Sequence, residues 1–300
     1  METIHVPVLL HEVLAGFDPI KSKSLHPIYL DGTLGGAGHA LAITEAFKGK
    51  LTVIGLDRDP QAILRAQESL KDKAEKIILE NEDYRNLDKV LSKYQIASVD
   101  MILLDLGISS DELESSGRGF TFQKDEPLLM TMGDPTKYPF TARDVVNNWN
   151  EDDIANVIFG YGEDRFARRI ARSIVNYRAK KKIETTSELA EIIKSSIPAF
   201  YRRSKIHPAT KTFQGLRIAV NDELGALREG LQKAYEHLNK GGRMVVISFH
   251  SLEDRIVKDF NKQKSIEGSK IITKKPITAT DQEQAENPRS RSAKLRILEK

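Results

Sequence analysis

The sequence predicts an α/β fold, a mostly parallel sheet with a block of helices inserted into it. Three observations predict this. Short apolar runs alternate with helical patterns through the first third of the chain. The middle third carries helical patterns and no strand signal. Strand logic then returns near the C-terminus.

IYLD (28–31) reads as a buried strand and leads into the glycine-rich turn DGTLGGAGH (31–39). ALAITEAF (40–47) has helical character. LTVIGLD (51–57) is a second strand. PQAILRAQESLK (60–71) is a helix that Pro60 can open, because the first helical residue needs no N–H. KIILEN (76–81), NLDKVLSKY (86–94) and VDMILLDLG (99–107) read as strand, short helix and strand. Continuous apolar strands separated by helices point to a sheet covered on both faces. Beyond residue 110 the sequence turns irregular, as in KDEPLLMTMGDPTKYPFT. Residues 151–178 and 186–197 then read as helices, the second capped by Thr185 or Thr186. Residues 212–240 form a long helical pattern interrupted by glycines. GGRMVVISFH (241–250) is a fifth strand and SLEDRIVKDF (251–260) a helix. IITKKPIT (271–278) and AKLRILEK (293–300) are a final strand pair. The expected organisation is a core at 1–112, a helical insert at 113–210 and the rest of the core at 211–300.

The chain has no cysteine, which excludes disulfides, thiolate metal sites, iron–sulfur clusters and a thiol nucleophile. No metal-ligand set emerges either: His250, Glu253 and Asp254 are close in sequence, but a carboxylate just after a histidine is common at a helix start. No apolar run is long enough to cross a bilayer. METIHVPVLLHEVLAGF lacks a basic segment followed by a continuous apolar one, so the expected location is the cytoplasm, with no membrane partner. Net charge is +3, from 46 basic and 43 acidic residues, and it is unevenly spread. Residues 164–182 hold eight basic residues against one acidic; further basic stretches are YRRSKIHPATK (201–211) and NPRSRSAKLR (287–296). Arg168, Arg169, Arg172, Arg202, Arg203, Lys205, Arg289 and Arg291 are candidate phosphate contacts, the alternative being a solvated surface. In RGFTF (118–122), Arg118 accompanies two phenylalanines that can border a base, or pack in the core in the case of Phe120.

In open α/β sheets ligands sit beyond the carboxyl ends of the strands. Asp31, Asp57, Asp83 and Asp105 fall at the expected ends. Asp57 is placed to accept ribose hydroxyls. GTLGGAG matches neither the dinucleotide fingerprint nor a phosphate loop ending in GK[ST]. S-adenosylmethionine carries no phosphate; carboxylates suit its cationic groups and turn N–H groups its carboxylate. It is favoured over NAD. Without a thiolate or a cluster, methyl transfer to nucleic acid must go to nitrogen or oxygen. An exocyclic amine then needs acceptors that orient its lone pair. Asp105 and the stretch that includes Ser109 can supply them, or Asp105 can serve the cofactor or loop alone. His250 can relay a proton or satisfy a loop hydrogen bond. His39 is structural or lines the cofactor. Alternatives are a methyltransferase for adenine N6 or a ribose oxygen, an NAD-dependent oxidoreductase, and an RNA-binding protein whose catalysis has decayed.

Ten stretches are more specific: HVPVLLHEVL, DGTLGGAGH, LDRD, DLGISS, RGFTF, EPLLMTMGD, YGEDRFARRIARSIV, HPATKTFQGLRIAVNDEL, GGRMVVISFHSLEDRIVK and NPRSRSAKLR. Together, from residue 5 to 296, they resemble the bacterial 16S ribosomal RNA cytosine-N4 methyltransferases. The resemblance implies a class I S-adenosylmethionine-dependent methyltransferase core, Rossmann-like, with a helical insert for RNA recognition. It implies methylation of N4 of a cytidine near the P site of the small subunit, with 16S rRNA in an assembled or nearly assembled 30S particle as partner. A homodimer is left open. By resemblance Ala37, Gly38, His39, Asp57, Tyr84 and Asp105 contact the cofactor. Glu112 stands where the family usually has a glutamine, and Leu129 and Thr131 where it has an acid and an arginine.

Overall fold

The alternating apolar runs become a seven-stranded sheet in the computed structural model, which describes residues 7–108, 113, 116–203 and 207–300. Strands β1 (Ile28–Asp31), β2 (Thr52–Leu56), β3 (Lys76–Glu80), β4 (Val99–Asp105), β5 (Leu238–Ser248), β6 (Lys270–Ile271) and β7 (Lys294–Glu299) lie in the order β3-β2-β1-β4-β5-β7-β6. The first five pair in parallel, and β7 runs antiparallel between β5 and β6. This is the mostly parallel class I arrangement expected from the sequence. The strands read as continuous apolar runs because both faces are buried. Tyr29, Val53, Leu103 and Val245 point into one core, while Leu30, Ile54, Ile102 and Val246 point into the other. Helices α1 (Leu10–Phe17), α2 (Gly38–Ala46) and α3 (Pro60–Leu70) cover the first face through Val13, Ile43 and Ala66. The second is covered by α4 (Leu87–Lys93), then α10 (Glu223–Glu236) and α11 (Ser251–Ile266), through Leu91, Leu231 and Val257. A short helix, α12 (Asp281–Glu286), precedes β7.

The chain divides into two compact units: one runs to Gly107 and resumes at Leu224–Lys300, the other is Ile108–Glu223. The second contains α5 (Ala142–Asn148), α6 (Glu151–Gly160), α7 (Ala167–Arg178), α8 (Thr186–Ser196) and α9 (Thr210–Asn221). Its core joins Ile158, Ile170, Leu189, Ile193, Phe213 and Leu216. The sequence boundary at 210 assigned α9 to the sheet. In the structure Phe213, Leu216 and Val220 fill the helical core instead.

Local chemistry moves several boundaries. The helical pattern 151–178 is two helices, because Glu163 is left-handed (φ 49°) and Asp164 turns back to accept the Phe166 N–H at 2.8 Å. The pattern 212–240 also divides, though at no glycine: Asp222 adopts φ 47°, a conformation that Asp reaches more readily than most residues. The strand expected at 271–278 shrinks to Lys270–Ile271 plus one bridge from Ile277 to Leu295. Pro276 has no N–H to give a ladder there. β3 ends at Glu80, so Asp83 is not at a strand end. It pairs with Arg58 and caps the turn Tyr84–Asn86.

Thr185 caps α8 in a reciprocal box with Glu188. Thr185→Ala is expected to lower unfolding free energy by about 1 kcal/mol, and Thr185→Ser to restore most of it, in urea titrations followed by circular dichroism. Equal midpoints for all three proteins would contradict this.

Candidate active site

The glycine turn is laced to the strands on either side of β1. Gly32 N–H donates to Leu103 O at 3.0 Å and Leu34 N–H to Leu56 O at 2.9 Å. Gly35 takes φ 51°, where a side chain would be strained. Ala37 takes φ 60° with a β-carbon, at a cost of about 1–2 kcal/mol. α2 begins immediately afterwards with no side-chain cap and no acid in its first turn. Its leading N–H groups therefore form a seat for an anion. The space above Gly36 is open, with nothing within 4 Å of a β-carbon placed there.

Three carboxyl groups stand at the strand ends around this turn. Asp31 is buried; it accepts the Tyr29 hydroxyl at 2.7 Å and the Thr33 N–H at 3.1 Å, and burial pushes its pKa up to about 6. Asp57 accepts the N–H groups of Gly35 (2.7 Å) and Asp59 (2.8 Å), and burial raises its pKa. Burial raises the Asp105 carboxyl far above the ordinary range, and the Asp31 and Glu253 carboxylates push it further. Asp105 N–H donates to Thr33 Oγ1 at 2.7 Å, which ties the ends of β1 and β4 together. Asp105 Oδ1 is buried with no hydrogen-bond partner among the described residues. Neither Asp31 nor Asp105 has a lysine or arginine partner among them. The turn floor is thus rich in carboxyl groups, and Asp31 and Asp105 there are short of a cation.

His39 connects this floor to distant segments. Its Nε2–H donates to Val8 O at 2.9 Å, which leaves Nδ1 facing Asp105 Oδ2 at 3.6 Å. Val8 is aimed there by Leu9, whose backbone is left-handed (φ 54°) and whose N–H donates to Glu283 Oε1 of α12 at 2.7 Å. Sequence reasoning missed Val8 and Glu283; the only signal was the HVPVLL stretch itself. Tyr84 lies beside the same strand ends, its ring against Gly230 of α10, where a β-carbon would come within 2.4 Å of it. His250 is the N-cap of α11: its Nδ1 accepts the Glu253 N–H at 3.4 Å, and Glu253 accepts the Phe249 N–H at 2.9 Å. Its ring is therefore employed in holding the helix start. Ser109, Glu112 and Lys205 lie outside the described residues, as does the side chain of Arg203.

In the helical unit the basic residues differ in what they touch. Arg168 and Arg169 are exposed on α7. Arg172 pairs with Glu151 at 3.1 Å. Arg202 donates to the carbonyls of Ile197 and Ser195 at the end of α8. Arg118 donates to Gly133 O at 3.3 Å and lies over Phe120, which is in the core. Phe122 stacks on His207 at 4.4 Å between centroids. In the sheet unit Arg289 is half-buried and Arg291 exposed. The stretch 127–134 is held by Asn221, which donates to Met130 O at 2.7 Å and accepts the Met132 N–H at 2.9 Å. Thr131 is fully buried and its hydroxyl is satisfied by Gly133 O at 3.1 Å. An arginine here would need a buried partner, and Leu129 offers none.

No helix among the described residues is long and apolar enough to cross a membrane. Residues 2–300 match the MraW methylase family. The chain is 48% identical over 300 residues to the ribosomal RNA small subunit methyltransferase H of Deinococcus deserti, covering 99% of this chain and 93% of that one. It is 48% identical over 294 residues to the protein of that name in Sulfurihydrogenibium sp., covering 98% of each. The likeness to the Heliobacterium mobile protein of that name is 43% over 317 residues, covering 100% of both. With this coverage and a strand order and turn chemistry of the expected kind, the chain belongs to the MraW methylase family and is an S-adenosylmethionine-dependent methyltransferase of the class I fold.

Proposed function

We propose that this chain transfers a methyl group from S-adenosylmethionine to N4 of a cytidine in the decoding centre of 16S ribosomal RNA, within an assembled or nearly assembled 30S subunit in the cytoplasm. One observation in the chain carries the cofactor reading: Asp31, Asp57 and Asp105 crowd a buried floor with no lysine or arginine on Asp31 or Asp105 among the described residues. Such a floor repels a pyrophosphate and attracts a cation. The cofactor supplies an electrophilic methyl group on a cationic sulfonium. Ala37, Gly38 and His39 present the N-terminus of α2 to its carboxylate. Asp57 receives ribose hydroxyls through the lone pairs its two backbone partners leave free. Tyr84 borders the adenine.

Asp105 has a free buried acceptor, Oδ1, suited to an amine N–H. Accepting that hydrogen bond orients the nitrogen lone pair for attack. With the cofactor bound, the N–C bond would form as the S–C bond breaks, S-adenosylhomocysteine would be the leaving group, and one amine proton would pass to solvent. His39 Nδ1 faces the Asp105 carboxyl at 3.6 Å. His250 fixes the start of α11. Ser109 serves the amine and Glu112 the cofactor in the same reading, while the basic side chains of the helical unit and Arg289 and Arg291 meet phosphates. The absence of cysteine excludes thiolate-assisted methylation of C5.

The purified chain is expected to label 30S subunits from cells lacking this methylation, with N4-methylcytidine as the only new nucleoside by mass spectrometry. N6-methyladenosine or a 2′-O-methyl nucleoside would overturn the reading. Asp105→Asn should lower single-turnover transfer by roughly a hundredfold, and near-wild-type turnover would remove Asp105 from the chemistry. Cofactor affinity should rise with pH, because the raised Asp31 carboxyl is neutral below about 6 and anionic above it. Between pH 5 and 7 calorimetry should show Kd falling by about tenfold, a dependence that Asp31→Asn flattens. Gly230→Ala should displace the Tyr84 ring and weaken cofactor binding several-fold without changing which nucleoside is made.

A further inference from the structure

Exposed large hydrophobic side chains are few among the described residues, and the three aromatic ones, Phe159, Tyr161 and Phe200, all lie in the helical unit. Phe200 is the most exposed, at 73%. It is also part of a built stack. Phe200 leans on Tyr201 at 4.3 Å between centroids, Tyr201 meets the edge of Phe166 at 4.9 Å, and the Arg165 guanidinium lies over the Tyr201 ring at 4.0 Å. One face of this assembly is thereby anchored and the Phe200 end is left open to solvent.

Arginines follow along the chain from the Arg165–Phe166 edge of the stack. Arg165, Arg168 and Arg169 are exposed and have no carboxylate partner among the described residues, unlike Arg172, which pairs with Glu151. An exposed phenyl ring in water is unfavourable, and like-charged arginines nearby repel. A second copy of this chain would bring further arginines to the same place, so self-association at this patch is electrostatically opposed. A single-stranded nucleic acid satisfies both features, since its bases stack on an aromatic face and its phosphates neutralise the guanidinium groups.

We propose that Phe200, supported by Tyr201, Phe166 and Arg165, is a stacking platform for an unpaired base of the RNA substrate, with Arg168 and Arg169 taking the adjoining phosphates. This rests on the ribosomal RNA reading above and deepens it. The platform would read shape and accessibility more than sequence, because every base has a π face. It would make an unpaired nucleotide outside the methylated position part of what the enzyme recognises.

The test is equilibrium binding of the full-length chain to 30S subunits lacking the methyl group, across a salt series. Phe200→Ala should weaken binding by about tenfold to a hundredfold with an unchanged salt slope, and Phe200→Tyr should restore it. Arg168→Gln combined with Arg169→Gln should weaken binding and make the slope shallower. Because Phe200 is solvent-exposed, its alanine variant should retain the wild-type circular dichroism and cofactor affinity. Unchanged binding by Phe200→Ala, or no recovery with tyrosine, would overturn the proposal. So would a dimer in sedimentation that Phe200→Ala dissociates, which would make the patch a protein interface. Failure of the substrate reading appears separately, as a product other than N4-methylcytidine while Phe200→Ala still loses RNA.

Discussion

Burying a carboxylate without a cation is unfavourable, and this fold does so at the ends of β1 and β4, where Asp31 and Asp105 have no lysine or arginine partner among the described residues. The Asp31 and Asp57 carboxylates accept from backbone N–H groups and, for Asp31, a tyrosine hydroxyl, while Asp105 faces His39 Nδ1 at 3.6 Å. Around them the structure supplies an open floor at Gly36, a left-handed Ala37 and a helix start without a cap. The left-handed Ala37 and the uncapped helix start are each locally unfavourable. They become consistent with one another once a ligand carries positive charge toward the carboxyls and a carboxylate toward the helix. In the helical unit the exposed charge of opposite sign is local: Arg165, Arg168 and Arg169 have no carboxylate partner among the described residues.

Much of the fold was legible in the sequence because strands buried on both faces must be apolar throughout. β1 begins and ends where IYLD does, and Pro60 opens α3 as its chemistry requires. Breaks that depend on a single backbone angle were not legible. Glu163 and Asp222 are left-handed, yet neither is a glycine, and the glycines of α9 and α10 sit inside their helices. The extent of the helical unit was likewise hidden, since amphipathic α9 could bury its apolar stripe against either core.

The site was legible where it depends on strand ends and illegible where it depends on long-range contacts. Asp31, Asp57 and Asp105 follow from the strand pattern. Asp83 did not survive, because the strand stops three residues earlier and Arg58 neutralises it. The connection Glu283–Leu9–Val8–His39 joins segments from opposite ends of the chain, and no local pattern announces such a contact. His250 illustrates a different ambiguity: a histidine before SLED is as good a helix cap as a catalyst, and the geometry uses it as a cap.

The pairing of β4 with β5 carries a consequence for how the molecule is made. Asp105 lies opposite Ile247, yet residues 106–237 stand between the two strands in sequence. β1 to β4 form from one contiguous stretch and β5 to β7 from another. Until the second emerges, β4 has an unpaired edge and apolar side chains on both faces. Loop closure grows only slowly with length, so the final sheet loses little stability by this arrangement. The rate is what suffers, since long-range parallel pairing is slow and an open strand edge invites association. The helical unit, having a core of its own, can fold during that interval. The seam between β4 and β5 is thus the step at which newly made chains are most exposed to misassembly, even though in the finished molecule it lies at the centre of the sheet.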